Sequence, residues 1–118
     1  MEKLIAEKRR CTRLTISIPV SYEILGDRKI FGSCLAKDID NNGLKIRIDK
    51  FFPANTKLAI KLYFPEVKKI AQGEARITWA QPINYSNKYH LGVEFINFNP
   101  IYKKWIEEYI MIHKTFRK

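Results

Sequence analysis

Apolar and polar residues alternate with a period of two along most of the chain. Over 15–24, Ile16, Ile18, Val20, Tyr22 and Ile24 share one face, and Thr15, Ser17, Pro19, Ser21 and Glu23 share the other. This is the pattern of a strand with one buried face. Pro19 has no N–H to donate, which predicts that the strand is bulged or lies at an edge. A turn at Gly26–Arg28 leads into a second strand over 29–39. The stretch 44–48 alternates again, with Leu44, Ile46 and Ile48 inward and Lys45 and Arg47 outward. Residues 57–64 do the same with Leu58, Ile60, Leu62 and Phe64 inward. Two more strands are predicted over 70–80 and 89–95, the last with Tyr89, Leu91, Val93 and Phe95 on one side. Six short strands joined by turns predict an all-β fold, a six-stranded antiparallel barrel whose closure leaves no exposed edge.

After the last strand the period changes. Asn99 and Pro100 suit an N-cap and a first helical position. Beyond them Ile101, Trp105, Tyr109, Ile112 and Phe116 recur at three- and four-residue spacing. These predict a C-terminal α-helix with an apolar stripe covered by the barrel, and they assign Trp105 to the core. Residues 1–14, including "EKRRCTR", show no strand alternation and read as a mobile basic N-terminal arm. The chain thus divides into the arm, 1–14, and a single domain of barrel and helix, 15–118. A chain of 118 residues buries one core, not two.

Charge narrows the choice of partner. Lys and Arg number 22 against 12 Asp and Glu, a net charge of +10 that favours anionic partners. No apolar run approaches the length needed to cross a bilayer, so membrane insertion is not expected. The opening "MEKLIAEKRR" lacks the apolar segment of a signal peptide, and Cys11 and Cys34 are too few for a disulfide framework. A cytoplasmic protein with free thiols is expected.

The chemistry concentrates in "DIDNNG", 38–43. Asp38, Asp40, Asn42 and Gly43 satisfy the start of a calcium loop. The flanks, however, alternate as strands, Lys45 stands where such a loop needs an apolar residue, and Asp49 stands where it needs a bidentate Glu. A cation inside a cation site opposes that reading. Cys11, Cys34, His90 and His113 lack the paired spacing of zinc ligands, and both histidines read as surface or rim residues. Asp38 and Asp40 have no accompanying nucleophile or oxyanion donor, so an enzyme is not expected. A different chemistry suits the two pieces together. The arginines of "KRRCTR" can grip phosphate or the O6 and N7 of guanine with a planar fork, and a carboxylate accepts from the N1–H and N2–H of guanine. Gly43 would allow a tight turn that brings backbone near a ligand. Each piece alone also fits a solvated arm and an Asx-rich turn.

Both pieces, in this order and with a barrel between them, resemble the PilZ domain, a bacterial receptor module for cyclic di-GMP (c-di-GMP). Arg9 and Arg13, separated by three residues ahead of the first strand, match its paired arginines, and Lys8 stands where a further basic residue is common. Asp38 and Gly43 match its Asp-x-Ser-x-x-Gly motif, with Asp40 in place of the serine. A closing strand like "YHLGVEF" followed by a helix is similar too. The resemblance implies a c-di-GMP receptor or adaptor in which the arm folds over the nucleotide and the shape change is read by an effector protein the sequence does not name. Arg9 and Arg13 would meet phosphate and guanine, and the Asp38–Gly43 turn, Asp40 included, would meet guanine. Arg47 and Trp79 resemble accessory contacts of some members, although Trp79 fits a core position equally well. The alternative is a barrel of this fold that binds only protein. A nucleic-acid-binding barrel is not expected, because most aromatics lie on the apolar phase of their strands or helix.

Overall fold

The computed structural model describes residues 14–116, the side chains of 14–113 among them. Six strands and a helix follow in order: β1 (Leu14–Ile24), β2 (Asp27–Ile39), β3 (Gly43–Ile48), β4 (Lys57–Phe64), β5 (Lys69–Pro82), β6 (Tyr89–Phe98) and α1 (Pro100–Phe116). Antiparallel turns join β1 to β2 to β3, and again β4 to β5 to β6. The two three-stranded meanders meet through β3 on β6 and β1 on β4, which closes a barrel in the order β1-β2-β3-β6-β5-β4. Leu14, placed in the arm by sequence, is instead the first residue of β1 and is buried. Lys8, Arg9 and Arg13 lie outside the described residues.

Alternation sets the core. Ile18, Val20, Tyr22, Leu44, Ile46, Ile48, Leu58, Ile60, Leu62, Phe64, Leu91, Val93 and Phe95 are all buried, as their phase predicts. Each large aliphatic among them contributes about 1.5–3 kcal/mol through removal from water. The closed barrel leaves β1 no free edge, and Pro19 is accommodated instead by irregularity and by an unpaired stretch of β1. The β1–β2 register shifts between Thr15 and Ile18, and the β1–β4 ladder begins only at Val20, so Pro19 needs no N–H toward β4.

Helix α1 starts where the sequence places it. The Asn99 side-chain oxygen accepts from the Ile101 N–H at 3.0 Å, and Pro100 occupies the first helical position. Its buried stripe differs from the expected one. Ile106, Tyr109 and Ile110 are buried, whereas Ile101 is 51% and Ile112 49% exposed. The helix carries two adjacent apolar stripes, and the barrel end covers the one turned by a single position, about 100°. Tyr109 packs its ring 4.8 Å from that of Phe64. Trp105 is half-buried, not core, with the Lys69 ammonium 4.4 Å from its ring centroid. Among the described residues no helix is long and apolar enough to cross a membrane.

Candidate functional site

The loop between β2 and β3 is closed by its own acid. Asp40 Oδ1 accepts from the Asn42 N–H at 2.8 Å and the Gly43 N–H at 2.9 Å, while the Asp40 N–H donates to the Gly43 carbonyl at 3.0 Å. The Asn42 carbonyl in turn accepts from the Phe95 N–H at 2.8 Å, which ties the loop to β6. This is an Asx turn: a short carboxylate supplies the acceptor that the backbone lacks at a sharp reversal. Asp40 is buried at 8% exposure, and these bonds are what make burying its charge tolerable.

Gly43 is a glycine for a reason other than the expected tight turn. Among the described residues only Gly26 has a left-handed glycine backbone, at φ +95°. Gly43 instead lies in β3 opposite Glu94, where an added Cβ would come within 1.9 Å of the Val93 carbonyl oxygen. Its missing side chain lets β3 approach β6 directly behind the loop.

Asp38 belongs to β2 and is 7% exposed. Its Oδ2 lies 3.3 Å from Lys45 Nζ, and the two residues are register partners across β2 and β3. Lys45 pairs with Gly92 on β6, and Gly92 pairs with Trp79 on β5. Four strands therefore line up Asp38, Lys45, Gly92 and Trp79 in one row. Trp79, 40% exposed, spreads its indole over Gly92, where a Cβ would come within 2.0 Å of Nε1. The next row along the strands, Leu35, Arg47, His90 and Gln81, has Arg47 exposed and His90 half-exposed. On the other side Gly43 pairs with Glu94, which holds Arg76 in an ion pair.

A shallow cavity of about 270 Å³ opens on this face, lined by Asp40, Asn42, Gly43, Trp79, Gly92 and Glu94 among others. The structure thus brings Asp40, Gly43 and Trp79 to one cavity and sets Asp38 and Arg47 on the adjoining rows. A larger and more apolar cleft, about 420 Å³, lies between α1 and the β4–β5 turn. It lacks the loop acid and outward indole of the smaller cavity and the Arg47 of the adjoining row, so the smaller cavity is the better candidate for a polar ligand with flat bases. Lys45 and His90 were missed as site residues by sequence reasoning. Their outward phase on strands was legible, but not the adjacency of β3 and β6.

Around His90 the electrostatics are cationic. Burial and the Lys45 and Arg47 charges hold the His90 pKa below its ordinary 6.5, with Asp38 opposing them and Lys37 adding to them. Burial, with Asp49 second, pushes the Cys34 thiol up to about 12, so it is neither a thiolate nucleophile nor a ready metal ligand at neutral pH. Among the described residues no group of three His, Cys, Asp or Glu side chains is arranged to hold a metal ion.

A family model for the PilZ domain matches residues 7–111. The chain belongs to the PilZ domain family. No curated protein sequence matches it. Solved structures similar to this PilZ barrel include the inhibitor of motility MotI/DgrA of Bacillus subtilis, with a TM-score of 0.81 at 15% identity, covering 94% of this chain and 53% of that one. The PilZ domain of YcgR from Escherichia coli, solved with c-di-GMP, gives 0.69 at 13% identity, covering 92% of each chain. MrkH of K. pneumonia in its c-di-GMP complex gives 0.73 at 14% identity, covering 93% of this chain and 54% of that one. At such identities these likenesses establish the fold, and the chain spans about half the length of MotI and MrkH.

Proposed function

We propose that this PilZ domain binds c-di-GMP on the outer face of β2, β3, β6 and β5 and acts without catalysis, as a receptor whose bound form is read by an effector protein. The observation that carries the reading is the row Asp38–Lys45–Gly92–Trp79 beside the cavity at Asp40 and Gly43. It offers a flat indole for stacking, cations for phosphate and carboxylates for a guanine edge within one surface. The c-di-GMP in the solved YcgR domain and MrkH complex supports the choice of ligand.

In this reading Arg9 and Arg13, with Lys8 beside them, reach the nucleotide from the segment that precedes β1. Leu14 opens β1 opposite Ile39, next to the loop, so a short chain leads from the barrel to the site. Contacts made by that segment only when the nucleotide is present would offset its ordering entropy and turn binding into a change of shape. Arg47 serves as an accessory cation and Trp79 as a stacking surface. Titration calorimetry of the protein with c-di-GMP tests the reading directly. Saturable binding is expected, and heats indistinguishable from dilution would reject it in favour of a barrel that contacts only protein.

A further inference from the structure

His90 occupies the outward position of β6 next to Gly92, two residues and so roughly 7 Å along the strand. A dinucleotide lying against Gly92 and Trp79 would extend within its reach. From β3, Arg47 is its register partner and Lys45 lies one row away. From β5, its partner is the neutral Gln81. From β2, Lys37 and Asp38 are close enough to act on its charge. Three fixed cations therefore surround the ring against one carboxylate, and that carboxylate is already engaged by Lys45. In the free protein, burial and these cations oppose protonation of His90. A phosphodiester placed among them reverses the local field, because its negative charge favours the imidazolium that Lys45 and Arg47 disfavour.

We propose that His90 is a further phosphate-contacting residue of this face, and that its protonation makes c-di-GMP affinity depend on pH. The inference rests on the proposed function and adds to it a second regulator of the same site, the proton. Phosphodiesters do not titrate near neutrality, so the coupling is carried by the protein. The sign follows from the direction of the change. Affinity is greatest below the His90 pKa of the free protein, falls as pH rises through the window up to the pKa of the complex, and is level above it.

The test is calorimetric titration of the full chain with c-di-GMP from pH 5.5 to 8.5 at fixed ionic strength, in buffers of differing ionisation enthalpy to count protons. The dissociation constant is expected to rise about tenfold across the window, with net proton uptake on binding inside it. His90→Gln should bind with a level profile close to the high-pH wild-type value, and His90→Arg should be level and tight. His113→Gln, which alters the only other histidine, should keep the wild-type slope. A level wild-type profile, or an undiminished slope in His90→Gln, overturns the role of His90 while leaving c-di-GMP binding intact. Absence of binding at every pH removes the underlying reading and this role with it. Thermal melts of the variants identify any loss due to misfolding, and His90→Arg then decides the matter, since a correctly folded variant that loses high-pH binding also counts against the proposal.

Discussion

Trp79 lies flat over Gly92, close enough that a single methyl group on Gly92 would fall 2.0 Å from the indole nitrogen. The two residues are register partners on β5 and β6, and one of the two register shifts of that ladder, between Ile77 and Trp79, immediately precedes the pair. Because Trp79 is 40% exposed, its ring can swing away from an added Cβ where a backbone atom could not. Gly92→Ala is therefore expected to leave the barrel folded but to displace the indole and weaken c-di-GMP binding by about 1 kcal/mol, the scale of an aromatic pair. Calorimetry together with a thermal melt checks this. Unchanged affinity would remove Trp79 as a stacking surface.

Gly43 makes the opposite case. The atom facing its missing Cβ is the Val93 carbonyl oxygen, part of the β6 backbone. Gly43→Ala has to separate two paired strands, so it is expected to destabilise the fold by about 3 kcal/mol, the upper part of the overpacking range. Denaturant unfolding measures it, and a loss under about 1 kcal/mol would contradict the close approach.

Asp40 holds its turn with two charge-assisted bonds to backbone N–H groups. Asp40→Ala should cost about 2 kcal/mol of stability, and Asp40→Ser less, since a hydroxyl keeps one acceptor at the same position. For binding, Asp40→Ser is expected to be equal to wild type or weaker. A tenfold gain in affinity at fixed salt would show instead that the carboxylate repels the nucleotide's phosphates.

Arg9→Ala and Arg13→Ala should each weaken c-di-GMP binding by roughly 1.5–3 kcal/mol, the scale of a hydrogen bond to a charged group. Lysine at either position should recover only part of the loss, because an ammonium keeps the charge and not the fork. Wild-type affinity in both alanine variants would reject the roles assigned to this pair.

Beneath α1, in the turn between β4 and β5, Glu66 accepts from the Tyr109 hydroxyl at 3.0 Å and lies 3.1 Å from His113 Nε2. These bonds, His113 first and Tyr109 second, hold the Glu66 pKa below its ordinary 4.5. A lowered carboxyl pKa contributes stability that is complete above the unfolded value and is lost as pH falls through the folded one. The acid limb of the melting profile below about pH 4.5 should therefore be shallower in Glu66→Gln than in wild type. Parallel acid limbs would show that the contact is not maintained in solution. Burial, with Glu66 beside it, raises the Tyr109 hydroxyl to about 12, so that residue remains a donor throughout this range.

Alternation was enough to find the strands and their inward faces, because a period of two is a property of neighbouring residues and needs no partner. Asn99 and Pro100 announced the helix for the same local reason, and the paired arginines and the Asp38–Gly43 motif pointed to the PilZ family before any contact was known. Register across the barrel is different. Nothing in the spacing of residues states that β3 lies against β6, and that adjacency is what places Lys45 beside Gly92, brings Trp79 to the loop and sets His90 among cations. The same holds for α1, where two stripes of similar apolarity compete and only the shape of the barrel end selects Ile106 and Ile110 over Ile101 and Ile112. Gly43 was recognised by its position in a motif, but its cause is a strand from the other half of the chain. Local periodicity thus specified the elements and the buried faces of the strands, while long-range packing, which depends on closing the barrel between distant segments, decided the buried face of α1, which side chains share a surface and so what that surface can bind.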